Sequence, residues 1–431
     1  MDILNILEQK WKNVETPFII HPSGNLFFKD ILEAKTIDIS DIKSGEVVAL
    51  VGDFNPSSIL LFLKLIEKKT IILPLTIDTK EQHDYFFETA LVDIVIKDNS
   101  IKRINHKKKH KLIDYLRKQK KGGLILFSTG TTGSPKAILH DFNKFLKRFE
   151  TPKPSLKMIN FLLFDHIGGL NTLFHSLFNK GTVVSLTSRR VEEVLEVCSK
   201  YKVEVLPTTP TFLRMLLISE LIPKKIPSSL KIITYGTERM DQNTLNQLCK
   251  LMPQVDFRQT YGMSEIGILR VKSKARNSLY IKIGGEGIKT RIKNDVLEIF
   301  SETRMLGYLN AESPFDNEGW YKTNDIVEVD NDYLKINGRT SEFINVGGVK
   351  FMASDIESVA LEFEGIKLAK VEGKLNPITG QHVELTIQTI DGCDFKKIEF
   401  QKFLTSKLPK YMIPMKLKVE MININHRFKQ N

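Results

Sequence analysis

The sequence predicts an α/β protein with a large N-terminal domain of parallel and mixed sheets with flanking helices, a β-rich subdomain, and a small mobile α+β C-terminal domain. Three observations predict this. From about residue 46, short β-rich runs alternate with helix-like segments, the pattern of parallel strands joined by crossover helices. Beyond about residue 288 the alternation gives way to hairpins, in "IKTRIKNDVLEIF" and "DIVEVDNDYLKINGR", with Asn-Asp and Asn-Gly turns. From Ser341 to Asn431, "ASDIESVALEF" and "FKKIEFQKFLTSKL" read as helices and "HVELTIQTI" as a strand, a separate α+β unit. The expected division is 1–340 and 341–431.

Taken in order, "VVALVG", "TIILPL", "VDIVIK", "GLILFST", "MINFLLF", "GTVVSL", "VEVLPTT", "LKIITYG" and "VDFRQTYG" are the expected strands of the first part. Among them "PSSILLFLKLIEKK", "VEEVLEVCSKYK" and "DQNTLNQLCKLM" carry helical spacing. No internal repeat interrupts the series.

Composition excludes several classes. With 431 residues, 42% hydrophobic and 26% charged, the chain supports a large core and more than one domain. No apolar run is long enough for a membrane span, and "MDILNILEQKWKNVE" lacks a leader's basic start and apolar core, so a cytoplasmic location is expected. Cys198, Cys249 and Cys393 stand far apart without metal-ligand spacing and read as ordinary thiols. The net charge of +12 is partly clustered in "KRINHKKKHKLIDYLRKQKKGG", residues 102–123. No nucleic-acid motif accompanies it, so nucleic acid is not an expected partner. A solvated linker and a docking surface for an acidic partner are both open readings, the second including Lys107, Lys108 and Lys109.

The stretch "STGTTGSPK", residues 128–136, follows a strand and gathers hydroxyls, glycine N–H groups and one lysine, a concavity suited to phosphate oxygens. It is not a Walker A loop, because Gly130 and Gly133 are too close and Pro135 precedes the lysine.

With "FDHIGGL", "YGTE", "YGMSE", "GYL", "GWYKTNDI", "NGRTSEFINVGGVKFMASDIE" and "HRFK" following in order, the sequence resembles the adenylate-forming (AMP-binding) superfamily of acyl-CoA synthetases, aryl acid ligases and peptide-synthetase adenylation domains. The resemblance covers nearly all the chain after residue 120. It implies an acid–thiol ligase that makes an acyl-AMP from a small carboxylic acid and ATP, releases pyrophosphate, then passes the acyl group to CoA or to the phosphopantetheine of an acidic acyl carrier protein.

The resemblance also assigns residues. Ser128, Thr129, Gly130, Thr131, Thr132, Gly133 and Lys136 would cradle phosphates, and Gly236, Thr237, Glu238, Tyr261, Gly262 and Ser264 would line the nucleotide. Glu265 would meet Mg²⁺, a hard cation that takes one or two protein oxygens and completes its shell with phosphates and water. Asp325 would accept the ribose hydroxyls and Arg339 would face ribose or α-phosphate. In the Thr323-Asn324-Asp325 run, Asn324 replaces the family's glycine, which asks an asparagine to adopt positive φ. The hinge is expected at Ser341, and Gly347-Gly348 reads either as the loop that a pantetheine arm approaches or as a plain hairpin turn.

Two places depart or divide. In the tail "MININHRFKQN", Asn423 and Phe428 stand where the family has proline and glycine, yet Lys429 falls at the catalytic lysine. His166 takes the place of the histidine that flanks the acyl tunnel in acyl-CoA synthetases, whereas Phe164-Asp165 resembles the pair that binds an amino-acid ammonium. A non-amino acid is the favoured substrate, with "RTSEFINVGG" closest to ligases of the o-succinylbenzoate type. An amino-acid-activating enzyme that loads a carrier protein, and a catalytically impaired acyl-adenylate-binding protein, remain as other readings. The chain is short for the family, which implies a reduced N-terminal subdomain.

Overall fold

The structure, a computed structural model, describes all residues except 1, 2, 34–36, 105, 107, 129–133, 223 and 425–431. Two seven-stranded sheets form its centre. One runs Asp256–Gln259, Ile232–Tyr235, Val205–Thr208, Lys157–Asn160, Thr182–Ser185, Ile19–His21, Gly24–Leu26; the other runs Gly307–Tyr308, Ala137–Asp141, Gly123–Phe127, Ile71–Leu75, Val47–Val51, Ile94–Lys97, Ser100–Arg103. Each expected β-rich run of the first part forms a strand. The inner strands are mostly buried apolar runs, and antiparallel strands close three of the four sheet edges.

The helix Pro56–Glu67 shows how local sequence and packing agree. Asn55 caps it, its Oδ1 accepting from Ser58 N at 2.9 Å, and proline opens its first turn. Phe62 from this helix meets Phe164 and Phe174 at 5.5 and 6.0 Å between ring centroids, joining the two sheets through one aromatic core. A buried Phe of this kind contributes about 2–3 kcal/mol through burial.

In the first sheet the chain leaves Lys157–Asn160 for Thr182–Ser185 on one side and returns as Val205–Thr208 on the other. Such a reversal opens a crevice beyond the carboxyl ends of the strands. A six-stranded antiparallel sheet follows, in the order Arg270–Ser273, Ile281–Gly284, Tyr333–Arg339, Trp320–Asp330, Val296–Ser301, Ile288–Lys293. Its tight turns use Asn294 and Asp295, at φ 51° and 60°, and Asn331 at φ 55°, the left-handed geometry of two-residue hairpins. The expected Asn337-Gly338 turn is instead inside the strand Tyr333–Arg339. There the register slips, with Gly338 opposite Ile326 and Ile336 opposite Val327, so Asn337 is the extra residue of a bulge. Gly338 sits at φ +145°, and a Cβ there would overlap Met352.

The last sheet pairs Val349–Met352, Phe343–Val346, Gly380–Thr389 and Ile366–Asn376, with Lys416–Val419 beside Gly380–Thr389. Its own core, from Ile344 to Leu404, includes residues of helices Ala353–Ala360 and Lys397–Lys407. Gly347 and Gly348, at φ 60° and 87°, make the two-residue turn of the first hairpin, and nothing lies within 4 Å of a Cβ at either. Positive φ alone therefore accounts for both glycines in this orientation.

Part of the basic run is paired with acids of the same domain. Arg103 bonds Glu46 at 2.8 Å, Lys108 bonds Glu88 at 2.6 Å, Arg117 bonds Asp93 at 3.1 Å and Lys121 bonds Asp141 at 2.9 Å. Lys107 lies outside the described residues. The three thiols are free, and burial pushes Cys198 up to about 12, which keeps it unreactive.

The two glycines of "HIGGL" have a packing reason. A Cβ on Gly169 would overlap the Leu163 carbonyl, and one on Gly168 would touch Leu162 Cδ1 at 2.5 Å. Helix propensity alone makes Gly169→Ala stabilising by about 1 kcal/mol. The overlap predicts the opposite sign, a loss of about 1–3 kcal/mol in urea unfolding, and a variant as stable as the parent would refute the packing account.

Candidate active site

The phosphate-loop candidate spans a gap between antiparallel strands, Gly123–Phe127 and Ala137–Asp141. Its base is closed by Ser128 N donating to Lys136 O and Lys136 N donating to Ser128 Oγ, both at 3.0 Å. The Pro135 carbonyl accepts from Tyr85 OH at 2.9 Å and Asn310 Nδ2 at 3.0 Å, and Asn310 Oδ1 accepts from Ala137 N at 2.9 Å. The exposed Lys136 ammonium stands 5.0 Å from the centre of the Tyr308 ring. Thr129, Gly130, Thr131, Thr132 and Gly133 lie outside the described residues.

Glu265 sits in the turn between the short strands Gly262–Met263 and Gly267–Ile268. It is 8% exposed, and its Oε1 accepts from Tyr308 OH at 2.7 Å. Burial and this carboxylate raise the Tyr308 phenol, so it stays a donor. The turn is held from behind. Met305 N donates to Glu265 O at 2.8 Å, and His140 Nε2 faces Ser264 O at 2.7 Å. Burial, with Arg148 nearby, lowers His140 to about 3, so the ring is neutral and its Nε2 carries the proton that Ser264 O accepts. Arg148, lowered by burial to about 10, bonds Thr303 O at 3.0 Å. Its guanidinium fills the space that a side chain at Gly267 would need.

A second group forms on the six-stranded sheet. Asp325 and Arg339 are cross-strand partners, and Arg339 Nε donates to Asp325 Oδ1 at 3.2 Å. Tyr261 OH donates to Asp325 Oδ2 at 2.5 Å. Asp325 is 5% exposed; burial raises its carboxyl, opposed by Tyr261 and Arg339. Asn324 adopts φ 61°, the conformation its position demands, and Thr323 Oγ1 accepts from Asp325 N at 3.0 Å. Tyr321 lies between the groups, its phenol raised by burial and by Glu265, with Arg339 opposing.

The "YGTE" segment leaves the strand Ile232–Tyr235 at the crevice. A Cβ on Gly236 would overlap Thr260 Oγ1, and Thr237 holds φ 72°. Glu238 Oε2 accepts from Thr211 Oγ1 at 2.6 Å. At the same strand ends, Thr208 Oγ1 and Gln259 Oε1 are buried without a hydrogen bond among the described residues. These orphaned acceptors, with Asp325 and the backbone turns, suit a polar ligand rich in hydroxyls and amines.

His166 caps the helix Ile167–Phe178, its Nδ1 accepting from Gly168 N at 3.1 Å, and Asp165 beside it is 4% exposed. Lys429 lies outside the described residues. Tyr308, Tyr321, Asn310 and Tyr85 were not singled out from sequence. "GYL" and "GWYKTNDI" carry the first two, but only the fold brings Asn310 and Tyr85 onto one carbonyl.

Among the described residues no group of three or more His, Cys, Asp or Glu is placed to hold a metal ion. Glu265 alone is a single buried carboxylate, the kind of donor Mg²⁺ takes when phosphates and water complete its shell.

His140 gives a sign-determined pH prediction. Its folded value is depressed well below 6.5, so between about 3 and 6.5 the unfolded chain binds the extra proton and stability falls as pH falls. His140→Gln keeps an N–H for Ser264 O and does not titrate. Its unfolding free energy should lose up to about 1.4 kcal/mol per pH unit of slope in that window. Equal slopes for parent and variant would remove His140 as the cause.

The chain matches the family model described as AMP-binding enzyme over residues 92–293. It is 27% identical over 312 residues to a 2-succinylbenzoate–CoA ligase of Staphylococcus epidermidis, covering 68% of this chain and 64% of that one. It is 24% identical over 322 residues to 4-coumarate-CoA ligase 1 of Narcissus pseudonarcissus, covering 66% and 58%. The matched segment thus spans less than two thirds of these relatives. In three dimensions the chain is similar to the o-succinylbenzoate CoA synthetase of Bacillus subtilis bound to its acyl-adenylate, with TM-score 0.78, 19% identity and coverage of 99% and 96%. An anthranilate CoA ligase in complex with anthranoyl-AMP aligns with TM-score 0.81, 15% identity and coverage of 100% and 95%. These likenesses establish the fold. No helix among the described residues is long and apolar enough to cross a membrane.

Proposed function

We propose that this chain, which matches the AMP-binding enzyme family model over residues 92–293, is an AMP-forming acid–thiol ligase, activating a small carboxylic acid with ATP and passing the acyl group to a thiol. The observation that carries the reading is the buried Asp325 carboxylate, held between the Tyr261 hydroxyl and the Arg339 guanidinium. An ionised carboxylate has about four acceptor sites, so two vicinal ribose hydroxyls can join these donors.

The residues divide the work by position. In the first step an oxygen of the acid attacks the ATP α-phosphorus and the bond to pyrophosphate breaks, giving acyl-AMP. Arg339 meets the growing charge at the ribose and α-phosphate side, and Lys136 with the loop from Ser128 holds the leaving phosphates. Glu265, fixed by Tyr308, would hold Mg²⁺, which supplies charge neutralisation at the phosphates. Tyr261, Gly262 and Ser264 line the nucleotide, with Gly236, Thr237 and Glu238 opposite. Lys429 neutralises the acid carboxylate and α-phosphate. In the second step a thiol sulfur attacks the acyl carbon and AMP departs. Rotation at Ser341 would exchange Lys429 for the Gly347-Gly348 turn between the steps.

For the acceptor, CoA is the favoured thiol. The similar ligases named above are CoA ligases by their names, and Arg103, Lys108, Arg117 and Lys121 of the run that would steer an acidic carrier protein pair with acids of their own domain. For the acid, an aryl carboxylate is favoured, since the similar ligases named above act on 2-succinylbenzoate and 4-coumarate by their names. His166 would flank it.

ATP–pyrophosphate exchange with 2-succinylbenzoate, 4-coumarate, anthranilate, fatty acids and amino acids tests the reading. Exchange with one class is expected, and Lys429→Ala should abolish it while thiol transfer from supplied acyl-AMP survives. Exchange with amino acids alone would move Asp165 into the role given to His166, and exchange with none would overturn the enzyme reading. Asp325→Asn removes charge-assisted bonds each worth about 1.5–3 kcal/mol. It should raise the KM for ATP by about 10–100-fold with a smaller change in kcat, and an unchanged KM would take the ribose away from Asp325.

A further inference from the structure

Two arginines of the large domain reach across to the backbone of the small one. Arg214, on the helix Pro210–Ile218, is 7% exposed. Its Nε donates to Lys367 O at 2.9 Å, and one terminal nitrogen donates to both Leu361 O and Ile366 O at 3.1 Å. The other terminal nitrogen is anchored at home, on Thr244 Oγ1 at 2.7 Å, with Asp241 at 4.0 Å. Leu361 is the C-cap of helix Ala353–Ala360, so the guanidinium meets carbonyls at the negative end of that helix. Arg239 grips the other end, donating to Ser354 O at 2.8 Å and Ser358 Oγ at 2.9 Å, and within the large domain to Asn337 O at 3.3 Å.

We propose that Arg214 and Arg239 form an interdomain clamp, positioning residues that hold the small domain in the orientation seen here and are released for the thiol step. The role in the reaction rests on the ligase reading above; the clamp itself does not. Three features support it. All but one of the cross-domain acceptors are backbone carbonyls, so the bonds read the placement of one helix and its flanks. Both arginines belong to elements that line the nucleotide side: Arg239 directly follows Gly236-Thr237-Glu238, and Glu238 is bonded to Thr211, one turn before Arg214. The nucleotide side is thus linked to Arg239 along the chain and to Arg214 through the Glu238–Thr211 hydrogen bond and one turn of helix. Finally, a guanidinium uncovered by rotation regains water, so the clamp biases a population without locking it.

The test uses the full chain, spin-labelled at the exposed native Cys393 and at Glu192→Cys in a Cys249→Ser background, with pulsed dipolar distance measurement. The parent should show one dominant distance. Arg214→Gln and Arg239→Gln should each move the ratio of this population to a second, longer or shorter one by about tenfold, and Arg214→Lys by less, since an ammonium cannot span three carbonyls. Ser358→Ala, on the small domain, should shift it about twofold and leaves the large domain's core untouched, so a misfolded arginine variant does not end the test. Unchanged distributions in the folded variants would overturn the clamp.

Activity supplies a separate readout. The glutamine variants should keep the KM for ATP within about twofold and lower the kcat of pyrophosphate exchange, while thiol transfer from supplied acyl-AMP is maintained or faster. Equal losses in both half-reactions would indicate a merely structural role and overturn the proposal. Absence of exchange in the parent, with distances that still respond to Arg214→Gln, would sink the ligase reading and leave the clamp standing.

Discussion

The cross-strand pair of Asp325 and Arg339 is the contact on which the rest depends. Two adjacent strands of the antiparallel sheet place an almost fully buried carboxylate against a guanidinium, and the tyrosine of the "YGMSE" turn closes the third side. A carboxylate taken out of water is costly unless paired and hydrogen-bonded, so the three groups fix one another's positions. Arg339 is also the last residue of its strand, and the short 3₁₀ turn Thr340–Glu342 leads directly into the small domain. Arg339 of the site and the proposed pivot, Ser341, are thus two residues apart.

Around this pair the protein tolerates groups that would be unfavourable elsewhere. His140 is held neutral inside the sheet so that it can serve as a donor to the Ser264 carbonyl, and Arg148 is buried to fill the space beside Gly267. Neither touches the proposed ligand. Their effect is to fix the backbone of the turn that presents Glu265, as the cation contact proposed for it would require.

Charge has a different role from the one its clustering suggests. The lysine-rich run looks like a field for an acidic partner, yet Arg103, Lys108, Arg117 and Lys121 within it pair with carboxylates brought from residues 46, 88, 93 and 141. Conversely, the buried arginines that contact the small domain stand in runs, "TFLRMLL" and "GTERM", whose pattern is that of ordinary amphipathic helix and turn. Clustering along the chain measures local density of charge, whereas compensation depends on what folds against it.

What the sequence alone determined are features set within a few residues: the strand and helix alternation, the αL asparagine before Asp325, and the order of the loop motifs. Each follows from local propensity or from a turn with one permissible conformation. The tertiary structure decided the rest. Asn337-Gly338 became a bulge because the partner strand continued past it, and Gly347-Gly348 a plain turn facing open space. The carbonyl of Pro135 drew Tyr85 and Asn310 from far along the chain, and Arg214 and Arg239 found their acceptors on a helix more than a hundred residues later. Backbone carbonyls carry no sequence signature, so contacts made to them are settled only when distant segments pack.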